Sequence, residues 1–171
     1  MLRSLFVLSL CFALAAALAD CGSGSGTPPS VEAGRFEVEM EGAFERSVTG
    51  EARYRTVDGE LTGLELVIDS TTGISVELEP GPIQRKTYQV VEWELLSEDR
   101  PGGQSGTVAF LETPDGSFES VDGMLDITYR GESKIGGTFD FEMSGRLSGL
   151  PGEPYGLSAR GRWIATPLQV D

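Results

Sequence analysis

The stretch Phe36-Glu37-Val38-Glu39-Met40-Glu41 alternates apolar and acidic side chains with a period of two. A β-strand points successive side chains to opposite faces, so this segment buries Phe36, Val38 and Met40 and leaves three glutamates in water. A helix would spread those glutamates around its circumference. Gly50-Glu51-Ala52-Arg53-Tyr54-Arg55 repeats the alternation with arginine on the charged side. Pairing it beside the first strand is expected to set Arg53 and Arg55 near Glu37, Glu39 or Glu41 and relieve like-charge repulsion.

Further alternating runs follow at the spacing of an antiparallel meander. They are Leu61 to Ile68, Ile74 to Leu78, Tyr88 to Leu95, Thr107 to Leu111, Met124 to Tyr129, Thr138 to Met143 and Leu157 to Ala165. Asp58-Gly59, Asp115-Gly116 and Asp122-Gly123 read as turns, because Asp-Gly tolerates the positive φ that tight hairpins need. No segment after residue 34 sustains a 3.6-residue period. The pattern predicts an all-β domain over residues 34–171, an antiparallel meander of about nine strands forming a β-sandwich or a lipocalin-like barrel.

The N-terminus has a different composition. Met1-Leu2-Arg3 precedes an almost unbroken apolar run from Leu5 to Leu18, which has the length of a secretory signal and is too short to span a bilayer. Two processing sites compete. Ala17-Leu18-Ala19 suits ordinary cleavage before Asp20, whereas Leu18-Ala19-Asp20-Cys21 resembles a bacterial lipobox, in which Cys21 takes diacylglycerol and palmitate-type acyl chains and becomes the new N-terminus. Asp20 departs from the small residue that such signals place before the cysteine. Residues 1–20 are therefore expected to be a signal peptide and residues 21–33, rich in Gly, Ser and Pro, a flexible linker on a lipid anchor. Cys11 leaves with the signal, so no intramolecular disulfide is expected.

Composition narrows the chemistry. The chain has 171 residues and a formal net charge of −14, and the predicted signal carries one Arg and one Asp, so its removal leaves that charge unchanged. So negative a chain disfavours nucleic acid as a partner, because phosphate contacts draw on clustered Lys and Arg. The absence of His and Asn excludes a His-ligated metal, a His general base and an N-linked glycan. Eleven Arg against two Lys, with the acidic excess, suits a salt-rich or hot environment or a GC-rich genome.

From Gly116-Ser117-Phe118 through Ser120, Gly123 to Thr128, the charged turn Gly131 to Lys134, and Ile135-Gly136-Gly137-Thr138-Phe139-Asp140-Phe141, the chain resembles the C-terminal signature of uncharacterised secreted bacterial lipoproteins built on a small β-domain. Glu41-Gly42-Ala43-Phe44, Gly50 to Ala52, a Leu-rich strand and a strand around Tyr88 are similar in order. The resemblance spans roughly residues 34 to 144 and implies an envelope location, a β-sandwich or barrel, and no catalytic residue.

Candidate sites are few. Glu37, Glu39 and Glu41 read as a solvated face. Asp122 with Asp126, or Asp115 with Glu112, lacks the spaced Asp pattern of a calcium loop. No Gly-x-Ser-x-Gly occurs, and Gly103-Gln104-Ser105-Gly106 has no base to serve it. Trp93 and Trp163 are candidates to line a ligand pocket, and Tyr155, in the Pro/Gly-stiffened loop Gly149 to Gly156, is a candidate partner contact. The expected function is non-enzymatic, with no cofactor: an exported, lipid-anchored protein of the bacterial cell envelope with a binding or structural role. Its expected partners are the membrane, an envelope protein, a glycan or a small apolar ligand. The alternative is a periplasmic or secreted carrier of an apolar or glycan ligand.

Overall fold

The computed structural model describes residues 27–92 and 106–168. Nine strands run in chain order: β1 (Arg35–Gly42), β2 (Arg46–Val57), β3 (Glu60–Val67), β4 (Gly73–Pro82), β5 (Lys86–Val91), β6 (Val108–Thr113), β7 (Gly116–Arg130), β8 (Ile135–Leu147) and β9 (Tyr155–Pro167). Each strand pairs with its neighbour in sequence except at β5, and β9 returns to pair with β1. The sheet thereby closes into an eight-stranded barrel of β1–β4 and β6–β9, which resolves the sandwich-or-barrel alternative toward the barrel.

β5 is the strand that steps out of order. β7 is long enough to carry two partners on one side. Gly116–Glu119 pairs with β6, and Asp122–Ile127 pairs with β5. Where the two partners fork, Val121 forms a bulge and the ladder lapses. The buried Ser120 hydroxyl bridges the gap, accepting from the Ala109 N–H at 3.0 Å and donating to the Val91 carbonyl at 2.9 Å. The Val91 N–H in turn donates to the Thr107 carbonyl at 2.9 Å.

Alternation decides what lies inside. Phe36, Val38 and Met40 face the core, as do Leu64 and Leu66, Ile74, Val76 and Leu78, and Phe139, Phe141 and Met143, all at most 5% exposed. Aromatic rings fill the interior by lying opposite glycines. The register pairs Phe36 with Gly50, Phe118 with Gly145, Phe139 with Gly161, Phe141 with Gly123 and Trp163 with Gly137. A Cβ at Gly50, Gly145 or Gly161 would fall on the opposing ring. The glycine abundance thus serves ring packing within strands as much as turns between them.

Two expectations are corrected. Asp58-Gly59 does make the β2–β3 hairpin, with both residues at positive φ (53° and 83°); the β6–β7 turn is made by Pro114-Asp115, with Gly116 opening β7 opposite Thr113 and neither Asp115 nor Gly116 at positive φ. Asp122-Gly123 makes no turn; it lies inside β7, where Gly123 (φ 141°) follows the bulge and faces Phe141 across the ladder. Nor do Arg53 and Arg55 meet the β1 glutamates. The β1–β2 register sets Glu37 against Thr49 and Glu39 against Ser47, while Arg53 bonds Glu51 on its own strand. The acids of β1 are met from the other side, where β9 places Arg162 opposite Glu37 and Arg160 opposite Glu39. Arg162 bonds Glu37 at 2.6 Å, and Arg160 reaches Asp140 and Glu142 on β8 at 3.0 and 3.5 Å. Sequence alternation fixes a face but not which neighbour a strand takes, and barrel closure supplied the second neighbour.

Candidate functional site

The strand directions give the barrel two different ends. At one end lie the β1–β2 loop, the β3–β4 turn, the β6–β7 turn and the β8–β9 loop. At the other lie the chain entry, the β2–β3, β4–β5 and β7–β8 turns, and the end of β9. The entry is anchored: the Gly34 N–H donates to the Ile164 carbonyl and the Ala52 N–H to the Gly34 carbonyl. Below Arg35 the wall closes by parallel pairing of β2 with β9, which turns the preceding residues outward. Pro29 then lies beside Gly136 and the buried Ile164 on the outer face of β8 and β9.

A groove of about 350 Å³ opens at the end away from this entry. It is lined by Glu112, Thr113, Gly116, Ser117, Arg146, Leu147 and Ser148. The turn beneath it is held by side chains. The Thr113 hydroxyl donates to the Gly116 carbonyl and accepts from the Asp115 N–H, and the Ser148 N–H donates to the Asp115 carbonyl at 2.7 Å. Arg46 spans from the start of β2 to Asp115 at 2.7 Å while lying over the Phe44 ring, and Phe44 meets Phe118 edge-on at 5.7 Å. Phe44 thereby plugs the barrel end, with the arginine above it facing water.

The groove presents both charges and three hydroxyls, of which that of Thr113 is engaged by the turn. Ser117 and Ser148 have no imidazole to take a proton, since the chain contains no His. Among the described residues no cluster of three acids or thiols has the arrangement of a metal site. Asp69, in the β3–β4 turn at the same end, accepts from both the Thr71 N–H and its hydroxyl, and these bonds hold its pKa below the usual carboxylate value. That arrangement caps a turn. Asp122 and Asp126, which lack the calcium-loop pattern in sequence, are bonded by neighbours on β5, as Gln89 donates to Asp122 and Thr87 to Asp126.

The aromatic candidates separate. Trp163 is 1% exposed and sits inside the barrel; its indole Nε1 has no acceptor among the described residues. Tyr155 is 37% exposed at the start of β9, paired with Gly145, and Leu150 in the preceding loop is 54% exposed, so that loop offers two apolar contacts beside the groove. Trp93, Ala19, Asp20 and Cys21 lie outside the described residues. Sequence reading missed Arg46, whose bond to Asp115 joins segments far apart in the chain, Phe44, which packs between Arg46 and Phe118, and Arg146 in the groove wall.

No protein-family model, no curated protein and no solved structure matches this chain.

Proposed function

We propose that this chain is a bacterial cell-envelope lipoprotein, lipid-anchored through Cys21, whose barrel binds a partner and catalyses nothing. The observation that carries the reading is the opposition of the two ends. A lipobox-like Leu18-Ala19-Asp20-Cys21 precedes a chain that enters the barrel at one end, while the groove, Leu150 and Tyr155 occupy the other. A domain tethered from Cys21 would therefore present its groove away from the bilayer, toward an envelope protein or a glycan. Polar lining with an exposed aromatic suits such a partner.

The test is intact mass and detergent partitioning of the protein made with its own signal, beside Cys21→Ser. Diacylglycerol mass on the native form, and a soluble variant, support the anchor. Cleavage after Ala19 without lipid refutes it and leaves a freely secreted protein. The carrier reading draws on Trp163, whose buried indole N–H is available to an acceptor inside the barrel. Saturable quenching of tryptophan fluorescence by apolar or glycan ligands, lost in Trp163→Phe, would favour that reading.

A further inference from the structure

The groove holds two opposite charges that do not meet. Glu112 on β6, Ser117 on β7 and Arg146 on β8 form one row across the ladder, all three exposed on the outer face. Two strand spacings, about 10 Å, therefore separate the Cα atoms of the acid and the arginine. Among the described residues neither side chain is in an ion pair, whereas Arg46, Arg53, Arg160 and Arg162 all are. The acid of the adjoining turn, Asp115, is held by Arg46 at 2.7 Å and so does not serve Arg146. The hydroxyls of Ser117 and Ser148 also make no hydrogen bond among the described residues, while that of Thr113 is tied into the turn. Leu147, packed against the core, is the apolar part of the same lining.

The surrounding charges narrow what can bind. Arg46 neutralises Asp115, but Glu119, two residues beyond Ser117 on the same face, and Glu41, Glu45, Asp69 and Glu153 near this end leave it net negative. A ligand of purely negative charge is repelled here. One of purely positive charge would cover Arg146 without giving it a partner. A ligand carrying both charges satisfies both residues.

We propose that the groove binds a short zwitterionic peptide of two or three residues with free termini, its ammonium on Glu112 and its carboxylate on Arg146. The inference rests on the reading of the groove as the binding face and adds the ligand; it does not need the lipid anchor. An extended peptide of that length spans about 7 to 10 Å, the scale of the row. A groove of about 350 Å³ lies at the small end of ligand sites, as a ligand of this size requires. The guanidinium takes the carboxylate through two parallel N–H donors, and the Ser117 hydroxyl stands between the charges, facing the peptide amide.

Trialanine is titrated into the purified protein, and binding is read by NMR from the backbone amides of Gly116 and Ser148. Saturable shifts are expected. N-acetylation should weaken binding about ten-fold and C-terminal amidation about five-fold, since each removes one charge-assisted contact and the net negative end favours the ammonium. In Glu112→Gln the N-acetyl effect should vanish while the amidation effect persists, and in Arg146→Gln the reverse. Absence of saturation at about 10 mM trialanine overturns the inference. So does equal binding of the doubly blocked peptide, or the same response to both modifications in both variants. Lipid on Cys21 without peptide binding leaves the envelope reading standing and this inference refuted, and peptide binding without lipid does the opposite.

Discussion

Two stretches of the barrel wall solve the same problem differently. Around β8, β9 and β1 the ladder is continuous, with large rings seated on glycines inside and an arginine pair flanked by acids outside. Around β7 the ladder divides between β5 and β6, and one hydroxyl, that of Ser120, serves backbone groups that no strand reaches. The first region is maintained by many redundant contacts and by close backbone approach. The second depends on a single side chain. Robustness to substitution should therefore differ by type: the continuous wall resists loss of a charge but not gain of an atom, and the fork fails when one polar atom is removed.

The sharpest break in that comparison is Gly161→Ala. The new methyl would meet the Glu37 carbonyl and the Phe139 ring together, so flexible side-chain adjustment cannot relieve it. A loss of about 3 kcal/mol is expected in urea unfolding; a change within error would mean that β9 shifts freely. Next is Ser120→Ala, which leaves the buried Ala109 N–H and the part-buried Val91 carbonyl without the hydroxyl. About 2 kcal/mol should be lost, and hydrogen exchange should accelerate at Gln89 and Val91 before it does in β9. Uniform acceleration across the barrel would show that the fork is no weak point.

Alkaline pH probes the same side more gently. Tyr88 on β5 has its pKa raised, by burial first and by Glu79 second. A raised pKa means that the unfolded tyrosine ionises first, so stability is whole below about pH 10 and falls as pH rises through the folded value. Tyr88→Phe should flatten the loss above pH 10 in a thermal melt; an unaltered slope would assign it elsewhere. The smallest effect is expected from Arg160→Gln on the continuous wall, because the arginine and both acids are more than half exposed. The variant should differ from the parent in low salt and coincide with it in high salt. Salt should also raise the melting point of the parent, since it screens self-repulsion at a net charge of −14.

The glutamates of β1 show how far sequence reading reached. Alternation alone placed Glu37, Glu39 and Glu41 outside and Phe36, Val38 and Met40 inside, and the burial follows it. The partner strand for their charge was misread, because β2 is close in sequence whereas β9 is more than a hundred residues away. Asp122-Gly123 failed for a related reason. The dipeptide tolerates positive φ, but whether that φ serves a turn or a bulge depends on the strand across the ladder. At the groove end, Tyr155 was legible as an exposed aromatic in a Pro/Gly loop, whereas the Arg46–Asp115 bridge joins the start of β2 to the β6–β7 turn, which only closure brings together.

Local pattern was enough for the class of fold, the number of strands, the buried face of β1, β3, β4 and β8 and the exclusion of His-dependent chemistry, because period-two alternation and composition are properties of neighbouring residues. Closure into a barrel, the seating of Phe36, Phe118 and Phe139 on Gly50, Gly145 and Gly161, and the fork at Ser120 belong to pairings distant in sequence. Those pairings are set by which strands can share a ladder and fill one interior volume together, and no stretch of the chain read by itself contains that condition.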